Sequence, residues 1–311
     1  MDIETLGVHE SVSAVFPPTK LEAALAEAAA DNGVSVRVVD DEGVAACEAV
    51  VTFAYIEAYD DLEWVHTIQA GYDRFPLERF RERGVTLTNS TGIHGTTVGE
   101  SALAMMLALA RRLHRHVANQ QDREWVRLDW DDAFTVFDER CCVVGLGTLG
   151  RGVATRADGV GMTVVGVRRT PAVPPTVREV YTPDRLLEAV ADARFVVVTT
   201  PLTPETEGLI DAEAFAAMRE DAYLVNVARG AVVDESALVD ALDDGEIAGA
   251  ALDVFEEEPL PEESPLWGHE DVIVSPHNAG WTAEYYEDVA RLVRASVHNL
   301  ASGEDPVNVV V

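Results

Sequence analysis

The chain has 311 residues, enough for two domains with cores of their own, and an ordinary hydrophobic content of 48%. Its 23 basic and 55 acidic residues leave a charge of −32, a field that opposes nucleic acid and anionic membrane surfaces. No uninterrupted apolar run approaches the ~18–20 residues of a bilayer span, and three cysteines without a C-x-x-C spacing make neither a disulfide framework nor a zinc site. The opening MDIETLGVHE lacks the basic start and apolar core of a signal peptide, so a cytoplasmic protein with no metal site is expected. Lys20 is the only lysine, and an acidic surplus with so little lysine suits molar salt, where charges screen one another within ~3 Å.

In chain order, Thr19 is expected to cap a helix, LEAALAEAAADNG, that stops at Asn32-Gly33. Strand-like runs follow at Val34–Val39, Ala49–Ala54, Trp64–Ile68 and Val85–Leu87, with the small-residue turn Ala70-Gly71 after the third of them. Turns at strand carboxyl ends are where open α/β sheets bind ligands. From Thr96 to about Val117 one long helix is predicted, with Val98, Ala102, Leu103, Met105, Met106, Leu107 and Leu109 wrapping most of its circumference. A polar stretch bearing Trp125 and Trp130 reads as an arm or interface.

The run Cys142-Val143-Val144 then leads into Gly145, Gly147 and Gly150 in the spacing G-x-G-x-x-G, a helix from about Arg151 to Ala157, and a second strand at Thr163–Val167. That is the strand–turn–helix–strand setting of a dinucleotide site: one glycine for the turn, one for approach of a pyrophosphate, one for helix–strand packing. The anion would sit on unpaired N–H groups at the helix start. Where NAD-binding units carry an acid for the ribose 2′-hydroxyl, this chain has Arg168, Arg169 and Thr170. Guanidinium forks suit a 2′-phosphate, so NADP(H) is preferred, with NAD(H) not excluded. Further alternation of helices and strands completes an α/β reading: two Rossmann-like, doubly wound parallel sheets, one domain from residues 1–95 and 284–311, the other from 96–283.

Polar residues stand just beyond apolar strands of the second half: Arg229 after LVNVA, Asp253 after AGAAL, His277 after VIVSP. Beside a nicotinamide they suit hydride transfer to a keto acid. Arg229 would hold the substrate carboxylate and polarise the carbonyl, His277 would move the proton, and Glu258 would bond the other ring nitrogen and stabilise the imidazolium. Taken singly each has a bland reading. Most histidines are structural or solvated, and Glu258 ends an acidic run.

At these residues the chain resembles the D-isomer-specific 2-hydroxyacid dehydrogenases, through VVGLGTLGRGVA, VVVTTPLTPETEGLI, VNVARGAVVDESALVDAL, GAALDVFEEEPLP and VIVSPHNAGWT. Its charge pattern is similar to that of proteins from salt-in halophiles. The resemblance implies a catalytic trio of Arg229, Glu258 and His277. It implies cofactor contacts at the glycine turn with Thr148 and Leu149, at Pro201, Thr206, Val227, Ala228, Asp253 and Gly280, and substrate contacts from the N–H groups of Ala70 and Gly71. A substrate domain made of both chain ends, an inserted cofactor domain and a homodimer are implied too. Two positions depart from the pattern or lack a role: Thr199, where many members have His, and Trp281. Against an NADP(H)-preferring 2-keto acid reductase stand two alternatives: a dinucleotide-sensing regulatory dimer of the same fold, and a dehydrogenase for another substrate such as phosphite.

Overall fold

The computed structural model describes every residue except Asp2 and Pro171. It contains two compact units, Met1–Ile93 with Trp281–Val311 and His94–Gly280. The divisions fall at 93/94 and 280/281, where the sequence suggested 95/96 and 283/284. Each unit is a parallel α/β sheet.

The first unit holds β1 (Thr5–His9), α1 (Pro18–Ala30), β2 (Ser35–Val39), β3 (Ala49–Thr52), β4 (Trp64–Thr67), α2 (Leu77–Arg83), β5 (Thr86–Asn89) and a C-terminal helix, Tyr285–Ala301. Strand order is β2-β1-β3-β4-β5. β3 and β4 are buried on both faces, as parallel strands covered by helices must be. One face is covered by Leu21, Leu25 and Ala29 on α1 and Val289, Val293 and Val297 on the C-terminal helix, which share one core with Val51 and Trp64; the other packs Val50 and Val65 against Tyr59, Phe75 and, on α2, Phe80. β1 escaped the sequence reading because it is five residues long and interrupted by Gly7. α1 begins at Pro18, so Thr19 lies inside the first turn and does not cap it; a proline there arrives with helical φ and has no N–H to leave unpaired. The chain end covers the β5 edge: Leu87 donates to the Val311 carbonyl and accepts from Val310, both at 2.8 Å.

The second unit opens with α3 (Gly95–Ala110) and α4 (Leu113–Asp122), where the sequence predicted one helix. The break is at Arg112, in the left-handed region at φ 52°. It lets Arg112 and Arg115 both reach the Asp271 carboxylate, each at 2.7 Å. Then come β6 (Arg140–Val144), α5 (Thr148–Gly159), β7 (Thr163–Val167), β8 (Glu179–Tyr181), α6 (Leu186–Val190), β9 (Phe195–Val198), α7 (Ala212–Ala217), β10 (Tyr223–Asn226), α8 (Glu235–Asp243), β11 (Gly249–Leu252) and β12 (Val272–Val274). Their order is β12-β11-β10-β9-β6-β7-β8. From β6 the chain runs outward to β8, then returns to β9 on the other side. The order therefore reverses between β6 and β9, and a ligand of an open α/β sheet is expected beyond the carboxyl ends at that point.

Candidate active site

The glycine turn sits at this reversal. Gly145, at φ 98°, occupies backbone space that favours glycine, and a Cβ on Gly150 would lie 1.8 Å from the Gly145 carbonyl oxygen. A Cβ on Gly147 would meet no protein atom within 4 Å, so the constraint there points outward, toward whatever approaches the turn. α5 starts at Thr148 with no side-chain cap, leaving the first-turn N–H groups, those of Thr148 and Leu149 among them, for an anion.

A cleft of about 440 Å³ opens beside the turn, lined by Gly145, Gly147, Arg151, Arg168, Arg169, Thr170, Pro201 and Thr206 among others. Arg168 is anchored through its main chain to the Tyr181 carbonyl at 3.0 Å and through Nη1 to that of Ala172 at 3.2 Å. Glu205 shares the cleft, and its carboxyl is held below the ordinary range by a hydrogen bond from Thr203, its own main chain and the charge of Arg169. Three guanidinium groups against one carboxylate make a cationic pocket in a strongly anionic chain. Thr206 serves the loop itself: its hydroxyl donates to Pro201 O at 2.6 Å. Val227, Ala228, Asp253 and Gly280 are not part of the cleft lining; the first three follow β10 and β11, on the other side of the reversal.

Those strand ends carry the catalytic candidates. A Cβ on Gly230 would fall 1.8 Å from the Phe255 carbonyl carbon. The turn bearing Arg229 thus lies hard against the segment that leads to Glu258. Asn226 braces that turn, accepting from Ala228 N at 3.1 Å and donating to Arg229 O at 3.0 Å. Asp253 is 2% exposed, and burial pushes its carboxyl above the usual range. Opposing burial are hydrogen bonds from Ser275 Oγ at 2.6 Å, Asn278 N at 3.0 Å and Ala279 N at 2.9 Å, and the charge of His277. Asp253 thus shapes the turn from 275 to 279, and its carbonyl accepts from His277 N at 2.7 Å.

His277 itself has φ 52°, a conformation a β-substituted residue holds only when its surroundings enforce it. Its Nδ1 lies 2.8 Å from Glu258 Oε2, while Oε1 of the same carboxylate accepts from Phe255 N at 3.3 Å. Nε2 has no hydrogen-bond partner among the described residues. A ring fixed through one nitrogen and open at the other is the arrangement of a general acid–base. Within the acidic run, Glu256 accepts from the main chain of Glu235 at 3.1 Å, while Glu258 turns to the histidine.

In the first unit, Ala70 and Gly71 follow β4 with their N–H groups lacking acceptors among the described residues. The sequence reading missed three participants. Arg151 lines the cleft, and its signal was its place directly after the third glycine. Glu205 carried no signal. Thr199, left without a role, donates to the Gly145 carbonyl at 2.6 Å and so ties β9 to the glycine turn.

Residues 103–279 match the family described as D-isomer specific 2-hydroxyacid dehydrogenase, NAD binding domain. A glyoxylate reductase of Korarchaeum cryptofilum (strain OPF8) is 34% identical over 283 residues, covering 86% of this chain and 84% of that protein. A D-3-phosphoglycerate dehydrogenase of Methanocaldococcus jannaschii is 34% identical over 263 residues, 84% of this chain; the chain spans about half, 49%, of that relative. Among solved structures, a D-isomer specific 2-hydroxyacid dehydrogenase from Xanthobacter autotrophicus Py2, in complex with NADPH and MES, superimposes with a TM-score of 0.82 at 30% identity, covering 100% of this chain and 98% of that one. The chain belongs to the D-isomer specific 2-hydroxyacid dehydrogenase family, NAD(P)-linked oxidoreductases acting on CH–OH donors.

Proposed function

We propose that the protein is an NADP(H)-preferring D-2-hydroxyacid dehydrogenase that works mainly as a 2-keto acid reductase. The observation that carries the chemistry is the His277–Glu258 contact at 2.8 Å with Nε2 left open. Bound NADPH would supply the hydride. Arg229 would grip the substrate carboxylate and polarise the ketone, with the N–H groups of Ala70 and Gly71 as further carboxylate donors. His277 Nε2 would deliver the proton to the carbonyl oxygen as the alcohol forms, and Glu258 would hold Nδ1 and balance the imidazolium charge. The cationic cleft of Arg151, Arg168 and Arg169 supports a 2′-phosphate, and its position on the β7 side of the reversal would leave the nicotinamide on the β9–β12 side, with Arg229 and His277. Glyoxylate, the substrate in the name of the Korarchaeum relative, is the first keto acid to try. We read the protein as a cytoplasmic homodimer. Its contact would include the segment after α4, where Trp125 and Trp130 are 94% and 93% exposed. The test is keto acid reduction by His277→Gln: kcat is expected to fall about 10²- to 10⁴-fold with the NADPH dissociation constant unchanged. Unchanged turnover would remove His277 from the proton step.

A further inference from the structure

Two consecutive carbonyl groups in the loop after β4 are held from the end of β5. Ser90 N donates to Gln69 O at 2.9 Å, and Asn89 Nδ2 donates to Ala70 O at 2.6 Å. In a trans peptide the C=O and N–H point in opposite directions, and the one cis bond among the described residues is Glu258–Pro259. Anchoring the Gln69 and Ala70 carbonyls therefore turns the next N–H groups, those of Ala70 and Gly71, away from β5, and neither has an acceptor among the described residues. Adjacent main-chain N–H groups held in this way form an anion-binding concavity.

The Asn89 amide has only one way to sit. It is 4% exposed, and its Oδ1 accepts from Thr91 N at 3.2 Å, so Nδ2 must face Ala70. Asn89 is itself clamped. Asn89 N donates to Asn308 O at 3.3 Å, and Asn308 Nδ2 donates to Asn89 O at 3.1 Å and to Thr91 O at 2.8 Å. Asn308 has φ 60°, a left-handed conformation that asparagine tolerates better than most residues.

We propose that Asn89, held by Asn308, is a positioning residue that sets the direction of the Gly71 N–H toward the substrate carboxylate, beside the Ala70 N–H whose peptide plane Ser90 N holds through Gln69 O. This rests on the reading of Ala70 and Gly71 as carboxylate donors. Asn89 does not touch the substrate; it acts through one peptide plane.

The test uses the full-length protein with NADPH, a 2-keto acid that it reduces, and oxamate as a carboxylate-bearing inhibitor. Asn89→Asp keeps the acceptor for Thr91 and replaces the donor facing Ala70 O with an oxygen. Asn308→Gly keeps the left-handed backbone and removes the clamping amide. For Asn89→Asp the KM for the keto acid and the oxamate inhibition constant are expected to rise about tenfold or more, and for Asn308→Gly about threefold. The NADPH dissociation constant and saturating kcat should stay within about twofold, a split that general loss of structure would not give. Gly71→Pro, which deletes one N–H outright, separates the two ideas. If Gly71→Pro leaves the keto acid KM unchanged, the carboxylate reading fails and the proposal with it. If Gly71→Pro raises KM while both asparagine variants behave as wild type, the carboxylate reading stands and the positioning role of Asn89 is overturned.

Discussion

His277 is held from four directions. Its main-chain N–H goes to Asp253 O, its ring to Glu258, and the residues on either side are folded around the buried Asp253 carboxylate. That restraint is why a left-handed backbone persists at a residue with a Cβ. On the coenzyme side, Arg168 has its main chain bonded beside β8 and its guanidinium in the cleft, so its charge can be reversed without undoing a buried contact. Arg168→Asp should lower the NADPH-to-NADH ratio of kcat/KM by about tenfold or more, because a charge-assisted bond to phosphate becomes a repulsion. An unchanged ratio would show that Arg168 does not meet the 2′-phosphate. As candidates, Arg229 and His277 stood out in the sequence because they come just after apolar strands, and Glu258 because it keeps a fixed distance from Asp253 and Pro259. The hydrogen bonds of Asp253 to Ser275, Asn278 and Ala279 were not legible, since a carboxylate after a strand does not announce which later residues fold around it.

Elements were legible where hydrophobic period and length agreed, as in β6, β7, β9 and β10. Reading failed where a side chain far along the chain decides the local shape. The α3–α4 break goes with the reach of Arg112 and Arg115 to Asp271, more than 150 residues on. Burial of Asp271 opposes its charge, yet the His114 ring 3.7 Å away, the hydrogen bond from Arg115 and the charges of both arginines win, holding its carboxyl at about 2. In β4, His66 is fully buried between Thr88 Oγ1 at 2.8 Å and Ser90 Oγ at 3.1 Å. Trp64 Nε1 donates to Thr88 Oγ1, and Ser90 Oγ donates to Thr67 O. The chain of donors is complete when Nδ1 accepts from Thr88 and Nε2–H donates to Ser90, which is a neutral ring. Burial accordingly holds His66 down at about 3, against 6.5 for a free side chain. Its folded value is depressed, so the unfolded chain binds the extra proton. Stability present above pH 6.5 is then lost as pH falls toward 3. Between pH 7 and 5 the wild type should lose about 2 kcal/mol more unfolding free energy than His66→Gln, measured by urea denaturation. Equal losses would mean that His66 is protonated in the folded state.

At the scale of the molecule, the net charge of −32 on 311 residues is a repulsion that folding must overcome and that salt screens. Most of the described carboxylates are exposed, and 23 basic residues cannot pair with all 55 acidic ones. Raising salt from about 0.1 M to molar concentration shortens the screening length from about 10 Å to about 3 Å. The melting temperature should rise by several degrees across that range. A melting temperature independent of salt would argue against adaptation to a saline interior. The two-unit organisation and the class of both sheets were visible from alternation alone, since buried parallel strands read as continuous apolar runs. How the chain end closes over the β5 edge was not visible, because Val309–Val311 look like any short apolar tail.

The most direct test is the initial rate of glyoxylate and other 2-keto acid reduction by the wild-type protein with NADPH and with NADH, in molar salt. Steady reduction to the D-hydroxy acid is expected, with kcat/KM for NADPH above that for NADH by about tenfold or more. No reduction of any 2-keto acid, or a preference for NADH, would contradict the reading of the site.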